Sequence, residues 1–204
     1  MASDDVRLIV KGRLMWGDLF EARAFNDAKG DTLKKPAFSA TLAFDEELRK
    51  EPGYQALAKT VKEMIAKFWP EGVPDRFTMP IRKGDMNKDT TTGKVREGYA
   101  GTMYIRAKSY DQPQVIDQGK NPITDPQKVP NGYYIRASIT IQPYGHNAAT
   151  RKWANGGTGI RIKLGNVQLV AKGERFDGRK QAVDEFDEIT DGGSVQDADD
   201  LDFV

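Results

Sequence analysis

Residues 102–110 read TMYIRAKSY, residues 133–142 YYIRASITIQ, and residues 159–170 GIRIKLGNVQLV. All three alternate with a period of two. In the first, Met103, Ile105 and Ala107 oppose Tyr104, Arg106, Lys108 and Tyr110. In the second, Ile135, Ala137, Ile139 and Ile141 oppose Tyr134, Arg136, Ser138, Thr140 and Gln142. In the third, Ile160, Ile162 and Leu164 oppose Arg161 and Lys163. Side chains of a strand point alternately to opposite faces, so each segment reads as a strand with one apolar and one basic face. If the three strands adjoin, their outer faces form one platform of Tyr with Arg and Lys.

Two more strands precede them. Residues 6–15, VRLIVKGRLM, alternate through Val6, Leu8 and Val10. Residues 37–44, AFSATLAF, place Phe38, Ala40, Leu42 and Phe44 on one face. The stretch 26–36, with Asn26, Gly30 and Pro36, reads as a loop. A helix follows. Pro52 suits its first turn, where a missing N–H is no loss. Tyr54, Leu57, Ala58, Val61, Ile65 and Phe68 form its apolar stripe, and Pro70 and Gly72 end it. Asp45 is placed to cap a short turn over 45–50. The stripe and Trp69 read as core. Residues 82–101 form a glycine-bearing basic loop with Arg82, Lys83, Lys88, Lys94 and Arg96. Residues 111–132 form a proline-rich connection whose length suggests a function. The order of elements predicts a mainly β fold: an OB-fold-like five-stranded barrel with one inserted α-helix and a disordered acidic C-terminal tail. Residues 1–183 make the domain and residues 184–204 the tail.

The 204 residues carry 31 Lys and Arg against 30 Asp and Glu, a formal net charge of +1. That total conceals a division. Nine of the acids lie between Asp184 and Asp202 with no Lys or Arg among them, which leaves 1–183 at +10. A basic body with an acidic tail suits a polyanionic partner held by phosphate neutralisation. The tail, with Asp197, Asp199, Asp200, Asp202 and Phe203 near its end, is suited to compete for that surface or to meet a protein partner. A solvated body with a solubilising tail is the plainer reading of the same charges.

Single-stranded nucleic acid calls for cations along a backbone and aromatic faces for bases, each stacked base contributing ~1–3 kcal/mol. Six of the seven tyrosines lie between residues 99 and 144. Arg106, Lys108, Arg136, Arg161 and Lys163, with Arg82 and Lys83, are the candidate phosphate contacts. Tyr104, Tyr110 and Tyr134 are the candidate stacking groups. Trp16, beside Gly17, and Trp153, beside Lys152 in RKWANGG (151–157), either stack a base or cap an end of the barrel. An ordinary wet sheet face explains Lys and Arg, but less readily several tyrosines.

Other chemistries find little support. The chain has no cysteine and one histidine, so disulfides, thiol nucleophiles and Cys/His zinc sites are excluded. His146 lies in PYGHN (143–147), read as a surface turn. Neither a Walker A sequence nor GxSxG nor HExxH occurs, and GGTG at 156–159 lacks dinucleotide-binding spacing. The tail acids do not match a calcium loop. No cofactor or metal is implied, and an enzyme ranks last. Mean hydropathy is -0.63. No apolar run approaches the ~20 residues of a membrane span, and Met1–Asp5 shows no signal-peptide start. The expected location is cytoplasmic.

The stretch VIDQGKNPITDP (115–126), the strands GYYIRAS (132–138) and KLGNVQLV (163–170), and the segments VRLIVKGRLMWGDLFEA (6–22) and KPAFSATLAF (35–44) resemble phage single-stranded DNA-binding proteins, a family once catalogued as a domain of unknown function. The resemblance runs over roughly residues 6–180. It implies an OB-fold that coats single-stranded DNA during phage replication, with an acidic C-terminal tail; a further expectation is a role in recombination and a tail that recruits replication or recombination proteins. Acidic tails of many such proteins finish on Phe, whereas here Phe203 is penultimate and Val204 last. A homo-oligomer is compatible with this reading. A strand-annealing accessory protein and, from a different class, a virion β-barrel protein are the alternatives.

Overall fold

The computed structural model describes residues 5–26, 32–147, 152–153 and 157–176; for residues 25, 26, 32–34, 146, 147, 152 and 153 it describes the backbone only. The acidic stretch 184–204, including Asp197, Asp199, Asp200, Asp202 and Phe203, lies outside the described residues.

All five alternating segments become strands, and the last three do so within two residues of the expected bounds. The described elements are β1 (Val6–Asn26), β2 (Thr32–Phe44), α1 (Glu46–Lys50), α2 (Pro52–Phe68), β3 (Phe77–Thr78), β4 (Ile81–Lys83), β5 (Met103–Ser109), β6 (Val115–Ile116), β7 (Tyr134–Tyr144), β8 (His146–Asn147), β9 (Lys152–Trp153) and β10 (Thr158–Ala171). β1 pairs with β2 and with β7, β2 with β5, and β7 with β10, all antiparallel. A short parallel pairing of β10 with β5, Ile162 beside Ala107 and Lys163 beside Lys108, closes the ring. The result is a five-stranded barrel in the order β1–β2–β5–β10–β7, the OB-fold arrangement.

The inward set is the one alternation selects. Val10, Leu14, Leu42, Ile105, Ile135, Ile139, Ile141, Ile160 and Leu164 are buried together. Helix α2 adds Tyr54, Leu57, Val61 and Met64 to the same core. The Tyr54 ring meets Phe44 at 4.9 Å, and Trp69 meets Phe77 edge-on at 4.9 Å. Asp45 caps α1 as expected, its carboxylate accepting the Leu48 N–H at 2.8 Å. The barrel therefore carries two helices rather than one.

Two boundaries depart from expectation. β1 runs on to Asn26, and β2 starts at Thr32, inside the stretch read as a loop. Register shifts between Leu14 and Trp16 and between Asp18 and Arg23 break the alternation in β1. A bulge shifts which residues face inward, so a strict period of two is lost although pairing continues. Pro36 is tolerated because β5 pairs β2 only from Phe38 to Phe44, leaving the start of β2 without a β5 partner. His146, read in a turn, has strand backbone in the β8–β9 ribbon.

Candidate nucleic-acid interface

β2 is the middle strand of the face made with β1 and β5. Its inward residues are Ala40, Leu42 and Phe44, so Ala37, Ser39, Thr41 and Ala43 point outward. All four are small. Their neighbours are not. Across β1, Arg23 lies beside Ala37, Asp18 beside Ser39 and Trp16 beside Thr41. Across β5, Lys108 lies beside Ser39, Arg106 beside Thr41 and Tyr104 beside Ala43. Small residues between taller rows make a groove, with walls roughly 10 Å apart because neighbouring strands are about 4.8 Å apart.

Trp16 is 50% exposed on one wall, and Tyr110, 65% exposed, extends the other just past β5. Both aromatics carry a cation: Arg23 lies 5.6 Å from the Trp16 ring and Lys35 lies 5.2 Å from the Tyr110 ring. Asp18 organises the first wall. Its carboxylate accepts the Trp16 indole N–H at 3.3 Å and the Ser39 hydroxyl at 3.1 Å, and pairs with Arg23 Nε at 2.9 Å.

One end of the groove is closed. The loop 84–101 folds over the outer face, and Met15, Ala43, Tyr99 and Tyr104 form a second small core there, with Val95 and Phe176 packed against it. The Tyr99 and Tyr104 rings meet edge-on at 5.2 Å. Burial raises the Tyr99 phenol pKa, and the charges of Arg106 and Arg96 oppose that shift. Gly98 is required here: its φ is +74°, and a Cβ would come within 2.7 Å of the Phe176 ring. Arg13 covers the other side of Phe176 at 4.4 Å.

The three strands first singled out do adjoin, in the order β5–β10–β7. Their cations come together in part. Lys163 stands beside Lys108, and Arg161 is one exposed position further along β10, its Nε donating to Gln142 at 3.2 Å. Arg82 is exposed on β4 beside Tyr104, and Lys83 follows it. Arg136 belongs elsewhere: its neighbours are Lys11 and Gln168, four positions along β7 from Thr140, which faces Lys163.

The tyrosines do not assemble into a platform. Tyr104 points outward as its position requires, but it is only 5% exposed beneath the 84–101 loop, with its ring against Tyr99. Tyr134 is half-buried against the main core, beside Arg13 and Ala171. Lys152 and Trp153 are described by backbone alone, in a two-stranded ribbon with His146–Asn147. Asp18, Arg23 and Lys35 escaped the sequence reading. The bulges in β1 hide the phase of Asp18 and Arg23, and Lys35 precedes Pro36 in a stretch read as loop.

A closed five-stranded barrel whose second strand lies between a basic row and an aromatic-bearing row defines an OB-fold. The family model described as "Enterobacter phage Enc34, ssDNA-binding protein" matches residues 7–201. The chain belongs to that family of phage single-stranded DNA-binding proteins. It is similar to protein p50 of Acyrthosiphon pisum secondary endosymbiont phage 1, with 34% identity over 119 residues, 57% of this chain and 55% of that protein. The matched region thus spans about half of that protein's length. Among solved structures, the single-stranded DNA-binding protein of bacteriophage Enc34 in complex with ssDNA shares the fold. The TM-score is 0.57 at 16% identity, covering 85% of this chain and 89% of that one. A C-terminal truncation of the same protein gives a TM-score of 0.57 at 16% identity, over 86% and 94% of the two chains.

Proposed function

We propose that the protein binds single-stranded DNA along the β2 groove without sequence preference, and coats it during phage replication or recombination. The observation that carries this reading is the groove itself: a floor of Ala37, Ser39 and Thr41 between Trp16 with Arg23 and Arg106 with Lys108, closed beyond Thr41 where Ala43 is buried under the 84–101 loop. Trp16 and Tyr110 stack bases. Arg23, Lys35, Arg106 and Lys108 hold phosphates, and Lys163, Arg161 and Arg82 extend the basic wall. Lys83 and the Lys152–Trp153 ribbon flank the path. Stacking accepts any base, which accounts for the absence of sequence preference. Tyr104 and Tyr134 shape the fold instead of touching DNA, and Arg136 lies off the path.

The tail from Asp184 to Val204 competes with DNA and, once displaced, meets replication or recombination proteins. Its point of departure supports this. Phe176 is anchored at the closed end of the groove, and Asp184 follows eight residues later. Eight extended residues reach roughly 27 Å. The outward row from Ala43 to Ala37 spans about 20 Å, so the tail acids can reach the whole floor.

Fluorescence titration of the full chain with single-stranded and duplex oligonucleotides at two salt concentrations tests the groove. Binding of the single strand should quench Trp16 and weaken with salt by about −0.7 in slope for each phosphate neutralised. A slope near zero, or equal preference for duplex, would sink the reading.

A further inference from the structure

The basic surface continues past the groove. Lys108 pairs with Lys163 across β5 and β10, Lys163 with Thr140 across β10 and β7, and Thr140 with Arg7 across β7 and β1. These side chains share the outer face and form one row around the barrel. Three strand spacings put Arg7 roughly 14 Å from Lys108.

The row ends in a polar pocket of about 440 Å³ lined by Asp5, Arg7, Gln112, Thr140, Gln142 and Lys163, among others. Its fixed side is the Gln142 amide, which donates to Asp5 Oδ2 at 2.6 Å and accepts from Arg161 Nε at 3.2 Å. Its available groups are more telling. Among the described residues the Arg7 guanidinium and the Thr140 hydroxyl have no hydrogen-bond or ion-pair partner, although they are cross-strand neighbours. Lys163 meets only Asp111, at 3.6 Å, and the Asp111 side chain is 85% exposed. An ion pair that open to water contributes little and yields readily to a competing anion.

We propose that this pocket is a second subsite for the same DNA strand, taking a nucleotide that leaves the groove past Lys108. The inference rests on the groove being the DNA site. Arg7 and Lys163 hold the backbone phosphate, for which a free guanidinium fork is well matched. The Thr140 hydroxyl and the Gln112 amide oxygen offer a donor and acceptors along the edge of an unstacked base. The pocket volume falls within the range of small-ligand sites. The row of Lys108, Lys163, Thr140 and Arg7 gives the strand a continuous track from groove to pocket, so it bends around the barrel instead of leaving at the end of β5.

The test is a length ladder of oligodeoxythymidylates from about 4 to 16 nucleotides, the range of OB-fold footprints, titrated against the full chain, Arg7→Gln and Thr140→Val. Wild-type affinity should rise with length, level off once the groove is filled, and rise again when the strand reaches the pocket. Arg7→Gln should remove the second rise, a loss of roughly tenfold for long strands, and reduce the salt slope by about 0.7 for those strands alone. Thr140→Val should lower the second rise without changing the first. Both positions lie on the outer face, and an unchanged denaturation midpoint verifies the fold. Equal losses at every length, or none at any, overturn the subsite. Failure of the wild-type chain to bind even the shorter strands overturns the groove reading, and the subsite with it.

Discussion

The Asp18 side chain is 11% exposed and holds three groups at once: the Trp16 indole N–H, the Ser39 hydroxyl and the Arg23 guanidinium. Its negative charge in a DNA groove is therefore consistent with binding, because the carboxylate is spent on orienting an aromatic and a cation. The indole is pinned by its N–H edge, with the Arg23 guanidinium 5.6 Å from the ring centroid, and half of the residue stays open to solvent. Tyr104 shows the opposite outcome from the same kind of position. Its phase on β5 is that of Arg106 and Lys108, and alternation alone makes it equally suited to stack a base. What the strand period shows is the side of the sheet, not whether something lies on top. The covering residues, Tyr99 and Val95, sit in the loop 84–101, whose fold has no period to read. Two substitutions separate these roles. Trp16→Ala should cost ~1–3 kcal/mol of single-strand affinity, or about fivefold to 150-fold, and leave the thermal midpoint nearly unchanged. Tyr104→Ala should open a cavity and cost roughly 3 kcal/mol of stability, while protein that remains folded keeps most of its affinity. Paired thermal melts and DNA titrations check both; the reverse assignment of losses would show that Tyr104, not Trp16, meets the base.

At the level of elements, the strands and α2 were legible because their burial is periodic. Ile135, Ala137, Ile139 and Ile141 are wholly buried, as the alternation of YYIRASITIQ requires, and the helical stripe adds only Met64 to the residues spacing selects. The order of elements pointed to a barrel, but the contact that closes it was not legible, since it is two parallel pairs between β5 and β10 with no local signature. Nor was the irregularity in β10. β10 pairs with β7 throughout its length, but its register shifts between Leu164 and Val167, where Gly165 and Asn166 fall. A Cβ at Gly165 would lie 2.9 Å from the Ser138 carbonyl oxygen, so the glycine allows β7 to approach at the bulge. Gly165→Val must push the two strands apart at this point. The expected cost is about 1–3 kcal/mol, read as a lower urea midpoint with an unchanged m-value. An unaltered midpoint would mean that the bulge is free to relax and that β10 does not need the glycine.

For the whole molecule, the division of charge matters more than its total. On the proposed reading, a body at +10 and a tail at −9 attached within eight residues of Phe176 make the tail a tethered rival of any polyanion in the groove. A tether keeps its ligand at millimolar effective concentration, so even weak tail binding competes at low salt. The physical signature is not only a weaker affinity. DNA binding to an open groove releases the counterions condensed on the DNA, and the four groove cations (Arg23, Lys35, Arg106 and Lys108) should give a salt slope of about −2.8 for a strand that fills the groove alone. When the tail occupies the groove, DNA must displace it, and the freed carboxylates take up cations again. That partly cancels the release and flattens the slope. Removing residues 184–204 should therefore tighten binding most at low salt and steepen the salt dependence, with the two affinities converging as salt weakens the tail's own hold. Parallel salt plots would show that the tail changes affinity without entering the groove; coincident plots would show that it does not compete at all.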